Sequence, residues 1–180
     1  MNNLRTRKPI RLQNYDYSEN GYYFVSICSG NRQNIFTENK SPVGAGLVSA
    51  RNRSFELSPA GRIIEEQWQY IPNLYDDVEL DEYVIMPNHI HGIIVIQQKK
   101  RADTRPAPTL SDIICFFKSR SSLEYIRYIK RNNLNFSDKF WQRSFYDHVI
   151  RNERSLSAIR EYILDNPANW EQDIENLLDL

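Results

Sequence analysis

The run His89-Ile90-His91-Gly92-Ile93-Ile94-Val95-Ile96 constrains the fold more than any other part of the chain. After its first few residues it is apolar at every position, so it offers neither face to water; a β-branched run of this kind is a central strand covered on both sides. Residues 78–86 also have strand composition, and Pro87-Asn88 suits the two central positions of a tight turn, so the two runs form an antiparallel hairpin. Residues 22–28 are aromatic and β-branched and end at the turn cluster Ser29-Gly30-Asn31, giving a third strand. Residues 140–150 are the fourth candidate.

Three helices separate and follow these strands. Ser58 is an N-cap with Pro59 at the first helical position, Ile63, Ile64, Trp68 and Ile71 share one face, and Pro72 marks the end. Thr109 opens a second helix with Asp112 as its capping-box partner; its inner face is Leu110, Ile113, Ile114 and Phe117, then Tyr125, Tyr128 and Ile129. Asn152 caps a third helix with the stripe Leu156, Ile159 and Ile163, and Asn166-Pro167 stops it because a residue before proline avoids the helical region. The order strand, helix, strand, strand, helix, strand, helix is a split βαβ plan. The expected fold is α+β and ferredoxin-like, an antiparallel sheet with helices on one face and an added C-terminal helix.

A length of 180 residues fits one domain, 1–180, with a core at about 21–170. Hydrophobic residues make up 41 % and aromatics 12 %, which excludes a disordered polyampholyte. No apolar run approaches the roughly 18 residues of a membrane span, and no apolar signal segment follows Met1 to Lys8, so the expectation is a cytoplasmic protein without a membrane partner. Cys28 and Cys115 are too few for a disulfide framework or a metal cluster and are expected to be packed free thiols. The 23 basic and 23 acidic residues balance, but unevenly along the chain. Residues 99–160 carry fourteen basic and six acidic side chains, and residues 161–180 carry six acidic and no basic ones. A basic third interleaved with Phe, Tyr and Trp suits a nucleic-acid backbone and unpaired bases.

His89 and His91 alternate on a strand, so both rings project from one face. The pair suits two ligands of one metal ion, and equally a hydrogen-bonded pair at a strand start. Tyr162 and Asn166, four residues apart, share a helical face that flanks the stripe of Leu156, Ile159 and Ile163. Such a Tyr can be a packing residue at the margin of the core, and an Asn before Pro a C-cap.

Three blocks in order carry a resemblance: Met86-Pro87-Asn88-His89-Ile90-His91-Gly92; Phe140-Trp141-Gln142-Arg143-Ser144-Phe145-Tyr146-Asp147-His148-Val149-Ile150-Arg151-Asn152; and Glu161-Tyr162-Ile163-Leu164-Asp165-Asn166-Pro167. Together they closely resemble the REP-associated tyrosine transposases, single-tyrosine members of the HUH superfamily named for histidine, hydrophobic residue, histidine. The resemblance implies a metal-dependent single-strand DNA endonuclease and strand transferase that cleaves hairpin-forming repetitive DNA. It implies Tyr162 as nucleophile, with His89, His91 and Asn166 holding the divalent ion, Mg2+ or Mn2+. Imidazoles by themselves favour zinc, nickel or copper. A phenol, with a pKa of about 10, is a poor nucleophile at neutral pH unless a nearby cation stabilises its phenolate, which favours a Tyr sharing a face with a metal ligand. Tyr146 is the reserve nucleophile, and His148 is read as structural.

For single-stranded or hairpin DNA the expected contacts are Lys118, Arg120, Arg127, Lys130, Arg131, Arg143, Arg151, Arg154 and Arg160, with Arg5, Arg7, Lys8 and Arg11 as a basic arm and residues 171–180 as an acidic cover of the groove. Relatives of this kind include monomers and homodimers, and no interface stripe decides between them. The reading from a different class is a non-catalytic DNA-binding repressor on the same scaffold, domesticated or decayed.

Two segments, 38–57 and 99–108, are rich in Gly, Pro, Ser and charge and read as surface loops. They are related through the genetic code. Val43-Gly-Ala-Gly-Leu-Val-Ser-Ala-Arg51 can be written GTA GGG GCA GGC CTT GTG TCT GCC CG, whose reverse complement translates as Arg-Ala-Asp-Thr-Arg-Pro-Ala-Pro-Thr. Those are Arg101 to Thr109 in order and without a gap, which implies two copies of a mobile repeat in opposite orientation within the gene.

Overall fold

The structure, a computed structural model, describes residue 12 and residues 15–38, 55–98, 107–135 and 139–170. Its elements are β1 (Gly21–Cys28), α1 (Pro59–Gln69), β2 (Val78–Ile85), β3 (His89–Ile96), α2 (Leu110–Arg131), β4 (Tyr146–Ile150) and α3 (Glu153–Asp165). The four strands form one antiparallel sheet in the order β2-β3-β1-β4, the ferredoxin-like α+β arrangement that the element order implied. Every residue of β3 is buried, as its composition requires. The expected caps are made: Ser58 Oγ accepts from Gly61 N, Thr109 and Asp112 form a reciprocal capping box, and Asn152 Oδ1 accepts from Ser155 N.

Alternation along the strands sorts the side chains into two layers. Val25, Ile27, Ile90, Ile94 and Ile96 face α1 and α2 and pack with Ile64, Trp68, Ile113 and Phe117 in the main core. Gly92 lies in this layer, and a Cβ there would come within 2.4 Å of Trp68 Cζ2, so the absent side chain is what lets the indole lie on the strand. Phe24, Ile93, Val95 and Ile150 face the other way, onto Leu156 and Ile163 of α3. The C-terminal helix thus covers the second face of the sheet. Burying its two anchors contributes roughly 1.5–3 kcal/mol each.

The structure corrects four local expectations. Only Tyr146–Ile150 of residues 140–150 is strand. Phe140 and Trp141 are both buried, stacking on Tyr125 at 4.5 Å and donating from Trp141 Nε1 to Ser121 Oγ at 2.9 Å, so the alternation a strand needs is broken. α1 ends at Gln69, and Pro72 lies inside a short 3-10 turn, Ile71–Asn73. Asn166 has helical dihedrals although Pro167 follows; the chain tightens into a 3-10 turn, Asn166–Asn169, in whose first turn a proline loses no hydrogen bond. Cys28 is half-buried and Cys115 exposed, because Cys115 falls outside the buried stripe of α2. Among the described residues no helix is long and apolar enough to cross a membrane. Residues 1–11, most of the two repeat-bearing loops and residues 171–180 lie outside the described residues.

Candidate active site

His89 and His91 project from β3 on the α3 face and are fully buried. Their Nε2 atoms converge to 2.9 Å. The ring of His89 is fixed from behind: its Nδ1 lies 2.7 Å from Asn88 Oδ1, and Asn88 Nδ2 in turn donates to the Arg32 carbonyl at 3.4 Å. An amide oxygen can only accept, so His89 carries its proton on Nδ1 and presents a lone pair at Nε2. His91, Phe24 and Tyr162 meet as three rings, with centroids 5.3 Å apart for Phe24 and His91, 5.4 Å for His91 and Tyr162, and 6.1 Å for Phe24 and Tyr162. Tyr162 Oη lies 3.3 Å from His91 Nε2, while the Tyr162 residue as a whole is 41 % exposed.

The 3-10 turn that follows α3 and the residue after it bring two further groups. Trp170 packs on His89 at 5.9 Å between ring centroids. Tyr162 of α3 meets His91, and Trp170, just after the 3-10 turn Asn166–Asn169, meets His89, so the chain from 162 to 170 passes the pair, with Asn166 between the two contacts in sequence. Asn166 is 2 % exposed, and its Oδ1 has no hydrogen-bond partner. Ser26, the cross-strand neighbour of His91, has a buried Oγ in the same condition. Buried side-chain oxygens left unsatisfied are uncommon and call for an explanation.

A divalent ion fits this donor set. Two cis ligands of an octahedral ion with bonds of about 2.1 Å stand about 3 Å apart, close to the observed Nε2 separation, and the Asn166 Oδ1 is a buried oxygen without a hydrogen-bond partner. Among the described residues no group of three or more His, Cys, Asp or Glu is gathered for a metal.

What holds α3 over the pair is partly ionic. Arg160 Nε donates to Asp81 Oδ1 at 2.9 Å and its Nη2 donates to Asp81 Oδ2, a two-pronged contact from α3 to the irregular pairing of β2 between Leu80 and Tyr83. The hydrogen bonds from Arg160 hold the Asp81 carboxyl below its ordinary range, against a smaller opposing effect of burial.

The basic residues divide. Lys118 Nζ donates to the carbonyl oxygens of Gln142 at 2.8 Å and Ser144 at 3.0 Å, and burial lowers its pKa, so it fastens the approach to β4. Arg120 donates to Gln67 and lies over the rings of Tyr70 and Phe116; Arg127 pairs with Glu124. Lys130, Arg131, Arg143, Arg151 and Arg154 are exposed. By topology the first three lie at the end of the sheet where β3 begins, and Arg151 and Arg154 at the opposite end, where β4 passes into α3. Tyr146 packs against Phe24 at 6.3 Å between centroids, and exposed His148 stands two strands from the histidine strand.

Asn88, Trp170, Ser26 and Asp81 were not singled out from the sequence. For Asn88 a signal existed, since an amide directly before the first histidine is well placed to set its tautomer.

Comparison with known proteins bears on the same residues. The sequence profile described as transposase, IS200-like, matches residues 50–166, a span that includes both histidines, Tyr162 and Asn166. An uncharacterized protein of Haemophilus influenzae Rd is 35 % identical over 180 residues, 94 % of this chain and 93 % of its own length. Among solved structures, a REP-associated tyrosine transposase bound to a REP hairpin superimposes with a TM-score of 0.51 at 16 % identity, over 88 % of this chain and 73 % of that one. That last likeness is one of fold. The profile match, extending over most of the chain, establishes that this protein belongs to the IS200-like transposase family.

Proposed function

We propose that the protein cleaves and rejoins single-stranded, hairpin-forming DNA through a covalent bond to Tyr162. The observation that carries this reading is the convergence of Tyr162 Oη, His91 Nε2 and His89 Nε2 at steps of 3.3 and 2.9 Å.

Tyr162 Oη attacks a phosphorus atom, the bond from phosphorus to the 3′ oxygen breaks, and the 5′ phosphate remains on the tyrosine. The phenol proton is given up and the departing 3′ oxygen takes one, leaving a free 3′-hydroxyl. One phosphodiester is exchanged for another, so the step reverses without an energy source when a 3′-hydroxyl attacks the phosphotyrosine. His89, His91 and Asn166 would hold Mg2+ or Mn2+, which when bound withdraws charge from a non-bridging phosphate oxygen. Phe24 and the His91 ring fix the phenol in a wedge, which restricts its approach to the phosphate. The exposed Lys130, Arg131 and Arg143 would contact the strand near the scissile bond, and Arg151 and Arg154 a more distant part. Lys118, Arg120 and Arg160 would act by holding the elements that carry the groove. The match of the fold to a transposase solved with a REP hairpin supports hairpin DNA as the partner.

The test is incubation of end-labelled hairpin DNA with the protein and manganese, followed by a denaturing gel. A protein-linked label is expected from wild type and from Tyr146→Phe, and a loss of at least about a thousandfold from Tyr162→Phe. An adduct that persists in Tyr162→Phe overturns the assignment. DNA binding without any adduct leaves the non-catalytic repressor in its place.

A further inference from the structure

The two loops related through the genetic code contain more than opposed copies. For Val43 to Arg51 the first two codon bases that match Arg101 to Thr109 are GT, GG, GC, GG, CT, GT, TC, GC and CG. Within that single unit, the run from the second base of codon 44 to the first base of codon 46 faces the run from the first base of codon 51 back to the second base of codon 49. Four of these six facing pairs are fixed by the amino acids as G·C or C·G, and the other two are free third bases. One unit can therefore be written as a hairpin in its own right, with four stem pairs fixed by the amino acids and two left to the third bases, and the second unit as its complement.

The fold shows why such units could enter the gene without destroying its product. Residues 39–54 depart and return across a closed gate, since Thr37 and Leu57 form an antiparallel bridge and Glu38 N donates to the Glu56 carbonyl at 2.9 Å. Residues 99–108 leave from Gln98, bonded to Asn20 Oδ1 and the Ser18 carbonyl, and return at Leu110, whose N donates to the Tyr17 carbonyl. Both ends of that loop are tied to one turn. Where chain ends are already fastened together, a longer loop adds little closure entropy. Thr109, the last residue of the second unit, also supplies the N-cap of α2.

We infer that this nine-codon unit is the hairpin DNA that the protein recognises, and that its own gene has received two copies in opposite orientation. This rests on the transposase reading above for the use made of the hairpin, but not for its recognition. A DNA-joining protein acting on a short repeat would find its own gene among its targets, and copies would survive only at sites like these two.

Two measurements test it. In the coding DNA, the third bases of codons 43–50 should pair with those of codons 101–108 as well; unrelated third bases overturn the inference. The full-length protein should then bind the single-stranded unit, copied from codons 43–51, at least about tenfold more tightly than the same bases with one stem arm scrambled. Equal affinity for the two overturns it. If Tyr162-dependent adducts form on unrelated hairpins as readily as on the unit, the recognition claim falls while the catalytic one stands. Tight, stem-dependent binding with no adduct on any DNA upholds the recognition claim while the catalytic one falls.

Discussion

The two faces of the sheet are built on different principles. The α1 and α2 face is dense, with Phe117 in ring contact with both Trp68 and Trp141 and no side chain at Gly92, which admits the indole of Trp68. The α3 face has a thinner apolar layer, Phe24, Ile93, Val95, Ile150, Leu156 and Ile163, and beside it the buried polar side chains His89, His91 and Ser26. One face uses its burial to keep the sheet folded; the other holds polar groups, and a single helix covers them. A helix secured, among the described residues, by few apolar anchors and one ion pair to the sheet should open at lower cost than the two-helix face, whose core carries the sheet.

The sharpest way to break this contrast is to remove one anchor from each face. Trp68→Ala should cost about 3–5 kcal/mol and lower the denaturation midpoint of the whole fold, because the indole packs on both Gly92 and Phe117. Leu156→Ala should cost about 2–3 kcal/mol, and amide exchange should accelerate in α3 while β1 and β3 stay protected. Uniform acceleration in Leu156→Ala would mean that the two faces are one cooperative unit.

The same contrast explains what could be read in advance. β3 was legible as a doubly covered strand because each of its residues answers to burial alone, and the caps of α1, α2 and α3 were legible because each lies within three residues of its partner. Tyr162 and Asn166 were visible as one helical face, and the structure brings Tyr162 to His91. Arg160 with Asp81 was not legible, since the partners are 79 positions apart and pair only after α3 docks. Lys118 counted as a free cation in the sequence, but the irregular path of residues 142–144 gathers its ammonium onto carbonyl oxygens. Trp170 carried no signal because its target, His89, lies in a different element.

A smaller effect probes the polar face from behind. Asn88→Ala removes the acceptor of His89 Nδ1 and frees the ring to take the other tautomer, with its proton at Nε2. Affinity for Mn2+ should fall about 10–100-fold, with little change in unfolding free energy. Asn88→Asp, which keeps an acceptor, should recover most of that affinity, measured by titration calorimetry. Equal loss in both variants would show that Asn88 serves the turn and not the ring.

The smallest effect concerns the ion pair that positions α3. Asp81→Asn should lower stability by less than about 1 kcal/mol, because the Arg160 side chain is 36 % accessible and such pairs are screened. Cleavage should slow by about tenfold, since a shift of the helix displaces Tyr162 Oη from its phosphate. The pH dependence separates positioning from bulk stability. Arg160 depresses the Asp81 carboxyl in the folded state, so the contact contributes fully above the unfolded value of about 3.9 and is lost as pH falls through the lower folded value. In wild type the contact of Trp170 with His89 should loosen as pH falls through the lowered Asp81 value, whereas Asp81→Asn should lack the part of that change that titrates with Asp81. Trp170 can be followed by its fluorescence against a Trp170→Phe control. Identical acid profiles in wild type and variant would mean that apolar packing alone seats the helix, and the distinction between an anchored face and a docked one would then rest on Leu156 and Ile163.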